Sequence, residues 1–129
     1  MSAFTAAHLD DIAAEKWPYW APIRHHFGIK SFGINAWRAA DGEEVIKQHA
    51  EGEGGHEELY VVYSGHARFT IAGEELEAPA GTFVYVGDPL AERNAVAKAA
   101  DTVVFSLGGW AGKAFEPSEW ETQSLAPDA

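Results

Sequence analysis

Short alternating segments, set off by Gly, Pro or Asp at intervals of roughly eight to twelve residues, fill the chain from about Lys30 onward. That punctuation leaves no room for a 3.6-residue period and restricts the chain to an all-β sandwich or barrel. In "SFGINAW", Phe32, Ile34 and Ala36 alternate with Gly33, Asn35 and Trp37. In "HARFTI", Ala67, Phe69 and Ile71 face one way and His66, Arg68 and Thr70 the other. The pattern predicts hairpins at Ser64-Gly65 and at Gly73, and a turn at Pro79-Ala80-Gly81. "EEVIKQHA", "TFVYVGDP", "ERNAVAKA" and "TVVFSLGG" supply further strands.

The two ends read differently. In "TAAHLDDIAAE", Leu9, Ile12 and Ala13 share one helical face, and Pro18 stops the helix. Next, "WPYWAPIRHHFG" concentrates Trp17, Tyr19 and Trp20, the mark of a segment laid over a groove or against a partner subunit. His25 and His26, read as neighbours on a strand, would point to opposite sides. Residues 110–129 lack alternation, hold Pro117, and would pack through Trp110 and Trp120. The division is one domain: an arm (1–29), a barrel core (about 30–109) and a tail (110–129).

Charge and cysteine use narrow the function. Nine Lys+Arg against 20 Asp+Glu give a net charge of -11, which repels nucleic acid and anionic membrane surfaces. With no cysteine there is no disulfide, no thiolate nucleophile and no thiolate metal site. The N-terminal residues become acidic by Asp10 and do not read as a signal peptide, so a cytoplasmic protein is expected. "EGEGG" lacks the Lys and Ser/Thr of a phosphate loop, and no serine stands in a nucleophile elbow.

The densest chemistry lies in "HAEGEGGHEELYVVYSG", His49 through Gly65. Alternation along its second half turns Glu58, Tyr60 and Val62 to one face and Leu59, Val61 and Tyr63 to the other. Glu58, six residues and Gly65 have the spacing that ends the first motif of the cupins. Gly81 and "TFVYV", leading into "GDP", resemble the start of the second. The chain therefore resembles the small single-domain cupins, and its layout looks like that of a bacterial group of them with no established activity.

The resemblance implies a double-stranded β-helix, or jelly-roll, barrel, and a homodimer with the aromatic N-terminal segment as a candidate interface. It also implies an inward Glu58. Metal-binding cupins carry His-x-His upstream of that glutamate and a histidine after the second turn. Here the upstream pair falls on Glu51 and Glu53, or on His49 and Glu51 with a longer loop; the later position falls on Glu92 or Arg93. His49, Glu51, His56 and Glu58 form the candidate metal set, suited to Mn, Fe, Ni or Zn. No metal at all is the equal alternative, with Arg93 bound directly to Glu58.

Glu58, Tyr60, Trp37, Glu92 and Arg93 are the pocket candidates. His56 is as readily a solvated turn residue as a ligand, and no catalytic residue is assigned. The favoured expectation is a barrel that binds a small organic molecule at its mouth. A divalent-metal oxygenase or isomerase is the alternative, and a protein-interaction module the third.

Overall fold

The computed structural model describes residues 2–12 and 17–125. Two antiparallel sheets face each other. The first has the order β1 (Trp20–Ala21), β2 (Gly33–Ala39), β9 (Thr102–Gly109), β4 (Glu57–Ser64), β7 (Phe83–Val86). The second has the order β3 (Glu44–His49), β8 (Arg93–Ala97), β5 (His66–Ile71), β6 (Glu74–Pro79). Two short helices complete the described residues, α1 (Ile23–Phe27) and α2 (Glu119–Ser124).

The core lies between the sheets, built by the alternation the sequence carries. Tyr60, Val62, Val84, Val86 and Val104 from the first sheet meet Ala67, Phe69, Ala78, Ala95 and Ala97 from the second. Ala78, Ala67 and Ala97 stand side by side in register across β6, β5 and β8. These small side chains leave room for Phe69, whose ring lies 5.4 Å from that of Tyr60. Complete burial of Phe69 contributes about 1.5–3 kcal/mol.

Ser64-Gly65 does not form the expected hairpin. β4 pairs with β7 and β9, whereas β5 pairs with β6 and β8, so the chain turns a corner between sheets there. Gly65 permits the corner: its φ is 75°, and a Cβ would meet the Thr102 backbone at 2.7 Å. The Gly73 hairpin does form, with Ala72 and Gly73 both at positive φ between Ile71 and Glu74.

The ends also differ from expectation. Leu9–Asp11 is a single 3-10 turn; Ile12 is buried and Ala13 lies outside the described residues. His25 and His26 sit on α1, not on a strand. The tail forms α2, tied back by Glu121, which accepts from Arg24 Nε at 2.9 Å and Nη2 at 2.7 Å. A six-residue helix has little stability of its own, so this buried ion pair fixes its position.

The aromatic arm packs inward. Trp20 pairs with Trp37 and Ala21 with Ala36 between β1 and β2, which sends both tryptophans to the barrel interior and both alanines outward. Outside, Ala21 and Ala36 join Ile12 and Val103 in a second apolar cluster under Leu9, Trp17 and Phe27.

Candidate functional site

A cavity of about 480 Å³ opens at one end of the barrel, and strand register explains its walls. Across β2, β9 and β4 the inward residues form three rows: Trp37, Val104, Val62; then Asn35, Ser106, Tyr60; then Gly33, Gly108, Glu58. The floor is apolar, the middle carries hydroxyl and amide groups, and the last row ends in a carboxylate. The two glycines in that row are sites of close approach: a Cβ at Gly33 would collide with the Phe115 ring, and one at Gly108 with the His56 imidazole.

Trp20, Trp37 and Trp120 form one wall. Trp20 and Trp37 lie 5.8 Å apart and nearly parallel, and Trp120 on α2 is 5.1 Å from the first and 5.8 Å from the second. The sequence pattern places Trp37 in the pocket and lays Tyr19 and Trp20 over a groove or against a partner subunit; all three line the cavity. It also missed Asn35, Ser106, Phe115 and Trp120.

Four of the candidate residues converge on a charged network with Arg93 and Tyr60. Glu58 Oε1 accepts from Arg93 Nη1 at 3.2 Å and from the Tyr60 hydroxyl, and stands 3.6 Å from His49 Nε2. Glu51 lies 3.0 Å from His49 Nε2 through one oxygen and 3.0 Å from His56 Nε2 through the other. Behind these contacts, His49 Nδ1 faces the Lys47 carbonyl at 2.7 Å and His56 Nδ1 the Glu57 carbonyl at 3.0 Å. Every ring nitrogen therefore faces an oxygen that only accepts, which the doubly protonated imidazolium satisfies best.

The electrostatics agree with that geometry. The bond to Glu51, and then that to Glu58, pushes His49 up to about 10 against the opposing effect of burial. Burial would lift Glu51, but its bonds to His49 and His56 outweigh it and hold the carboxyl down at about 2. Burial would lower His56; Glu51 and the Glu57 carbonyl raise it instead. The Tyr60 hydroxyl is driven well above its ordinary value by burial and by the Glu58 charge, so it stays a neutral donor.

His56 is not a solvated turn residue. It is buried, with Trp110 edge-on at 5.1 Å and Phe115 at 5.6 Å. Gly108, with no side chain, leaves the space that its imidazole occupies. Glu92 and Arg93 separate cleanly: Glu92 is exposed and accepts from Gln48 at 3.0 Å, while Arg93 is buried beneath Glu58. Glu92 is therefore no pocket residue, because alternation along β8 sends Arg93 inward and its neighbour out.

His49 Nε2, Glu51 and Glu58 offer ligand atoms within 4.8 Å of one another, a spacing that a metal can span. Arg93 opposes it. Its side chain is fully buried and also donates to the carbonyls of Ala91, at 2.9 and 2.7 Å, and Asp88, at 3.1 Å, which lock it in place. A divalent ion on Glu58 would have to share that carboxylate with a guanidinium already 3.2 Å from it. The donor set of one histidine and two carboxylates differs from the histidine-rich set that the cupin resemblance implies.

Comparison with known proteins agrees with this architecture. No family model matches the chain, and no curated protein does either. Among solved structures, a cupin protein from Bacteroides fragilis superposes with a TM-score of 0.69 at 19% identity, covering 95% of this chain and 96% of that one.

The fold is a cupin barrel.

The cupin domain of an XRE-family transcriptional regulator from Enterobacter cloacae matches at TM-score 0.54 and 20% identity, over 62% of this chain and 82% of the other. A salicylate 1,2-dioxygenase variant from Pseudoaminobacter salicylatoxidans matches at 0.53 and 15%, over 60% of this chain and 21% of the enzyme. Regulators and enzymes both use such barrels, so fold alone does not assign an activity to this one. Among the described residues, no helix is long and apolar enough to cross a membrane.

Proposed function

We propose that this cupin barrel binds a small organic molecule between its tryptophan wall and Glu58, without a metal. The Arg93–Glu58 pair carries the reading: a buried guanidinium, at one of the two positions that the cupin resemblance gives to a histidine, neutralises the carboxylate a metal would use. The cavity volume is that of a drug-sized or smaller ligand, and its aromatic wall favours a ring. Metal analysis of protein purified without chelator or histidine tag is the first test, with less than about a tenth of an equivalent expected. A fragment screen by thermal shift is the second, with a saturable rise in melting temperature expected from ring compounds. Silence across the screen overturns the reading.

A second reading, a divalent-metal oxygenase or isomerase, is favoured by the convergence of His49, Glu51 and Glu58 within 4.8 Å. It requires a stoichiometric transition metal that is lost in both His49→Ala and Glu58→Ala. The acidic balance and the absence of cysteine support a cytoplasmic setting for either.

We also propose a homodimer, but not through Tyr19 and Trp20, which line the cavity. The outer face of β4 and β7 exposes Tyr63, Phe83 and Tyr85 at 61%, 67% and 62%. At about 200 Å² per ring these three contribute roughly 400 Å². With half-buried Leu59, Val61 and Leu107 beside them, two copies would bury on the order of 1,100 Å², near the lower end of specific interfaces. A chain of charge -11 repels its own copy elsewhere, and this patch is apolar apart from Glu57, which accepts from the Tyr85 hydroxyl at its edge. Sedimentation velocity tests it: Phe83→Glu with Tyr63→Glu should yield monomer with unchanged circular dichroism. A monomeric wild type at about 100 µM overturns it.

A further inference from the structure

Each carboxylate lining the cavity has a cation close by. Glu58 has Arg93 at 3.2 Å, Glu121 has Arg24 at 2.7 Å, and Glu51 has both His49 and His56 at 3.0 Å. With both imidazoles doubly protonated, as their ring contacts favour, these cations outnumber the carboxylates. Lys47 of β3 is a further cation, and its charge does not depend on the imidazoles. It lines the cavity yet is exposed, which puts it at the mouth, and it makes no ion pair among the described residues. Its ammonium stands instead 5.7 Å from the centre of the Tyr19 ring.

The polar groups further in have donors to spare. Ser106 Oγ accepts from Trp37 Nε1 at 3.0 Å, which leaves its own proton to give. Asn35 Oδ1 accepts from Trp20 Nε1 at 2.9 Å, which leaves its amide N–H groups to give. The two residues face each other across β2 and β9. Tyr19 stands edge-on to Trp37 at 6.1 Å, so a line of contacts runs from Lys47 through Tyr19 and Trp37 to Ser106. A flat ring laid on these aromatics has a cation at its outer end and two neutral donors at its inner end. The chain as a whole, at a net charge of -11, repels anions, so a preference for one has to come from within the mouth.

We propose that the cavity takes an aromatic carboxylate. Its anionic group meets the Lys47 ammonium, its ring lies on Tyr19 and the tryptophans, and an oxygen at the far end of the ring accepts from Ser106 and Asn35. The imidazoles do not hold it, because all four of their ring nitrogens are engaged within the protein. This rests on the small-molecule reading above and names the class of molecule for it.

Three probes of one shape test it: 4-hydroxyphenylacetate, its amide and tyramine, titrated against the full chain by isothermal calorimetry near neutral pH. The anion is expected to bind at least about threefold more tightly than the amide, and more tightly still than the amine. Lys47→Met keeps an aliphatic stem at the mouth and removes the charge, so it should bring the anion to within about twofold of the amide. Phenylacetate, which lacks the far oxygen, should bind the wild type about threefold more weakly than 4-hydroxyphenylacetate. An amide or amine that binds as tightly as the anion overturns the inference. So does a preference for the anion that survives Lys47→Met, or a phenylacetate that binds as well as its hydroxylated counterpart. If none of these probes binds while other ring compounds raise the melting temperature, the inference fails and the small-molecule reading stands; silence from the whole screen removes both.

Discussion

Replacing Arg93 by Met removes the guanidinium but keeps most of its apolar volume. In the native barrel this side chain is wholly buried and donates to Glu58 Oε1, to the Ala91 carbonyl and to the Asp88 carbonyl. Without it, Glu58 loses its buried counter-charge and keeps only the Tyr60 hydroxyl and the His49 ring at 3.6 Å, and two carbonyls lose a charged donor. Breaking one side of such a pair costs about 3–5 kcal/mol, and an orphaned carbonyl about 1 kcal/mol more. These losses overlap, so about 4 kcal/mol is expected for Arg93→Met. For a domain of this size that is a fall in melting temperature of roughly 15 °C. Glu58→Gln leaves Arg93 its two carbonyls and should cost about 2 kcal/mol. The double variant removes both charges together and should cost at least about 2 kcal/mol less than the sum. Urea unfolding followed by tryptophan fluorescence and far-ultraviolet circular dichroism measures all four corners. Effects that add to within about 0.5 kcal/mol mean that the two residues are not a coupled pair, and the metal-free account of the site falls with them.

The same network sets a pH profile. His49, raised from 6.5 to about 10, contributes stability that is complete below pH 6.5 and lost as pH climbs towards 10. Glu51, lowered from 4.5 to about 2, contributes stability that is complete above pH 4.5 and lost as pH falls towards 2. The melting temperature should therefore plateau between pH 4.5 and 6.5. The alkaline decline should be gentle, because the 38% exposed His49 is screened by solvent, and His49→Gln should flatten it further. Gly65→Ala should cost roughly 3 kcal/mol, because it combines a positive φ with a clash against the Thr102 backbone. Gly52→Ala, at φ 87° with open space around it, should cost only about 1 kcal/mol; equal costs refute the role of the Thr102 contact. Arg24→Met should free α2, seen as faster proteolysis within residues 118–124 and a red-shifted tryptophan emission; unchanged protection shows that Glu121 does not anchor the helix.

What was legible in the sequence was local. Two-residue alternation around Glu58, Phe69 and Ala95 gives strands and their inward faces, because neighbours on one strand decide both. Gly65 shows the limit: a glycine turn reads alike whether the chain returns to its own sheet or crosses to the other, and only contact with distant Thr102 decides it. The choice between Glu92 and Arg93 depended on the turn at Asp88–Ala91, where one residue more or less flips every following side chain. His56 looked solvated because its cover, Trp110 and Phe115, comes from more than fifty residues away. "SEWETQS" has no helical stripe, and the ion pair that makes it a helix joins residues 97 positions apart.

That separation also has a consequence in time. Trp120 can settle on Trp20 and Trp37 only after β1 has joined β2 and Arg24 is in place for Glu121. Closing so long a stretch of chain carries a large entropic cost, so the expected order is the barrel first and its tryptophan wall last. A ligand that needs the Trp120 wall meets a finished barrel and cannot speed its assembly. Its stabilisation should fall almost wholly on the unfolding rate, turning occupancy of the cavity into a longer native lifetime and not into faster folding.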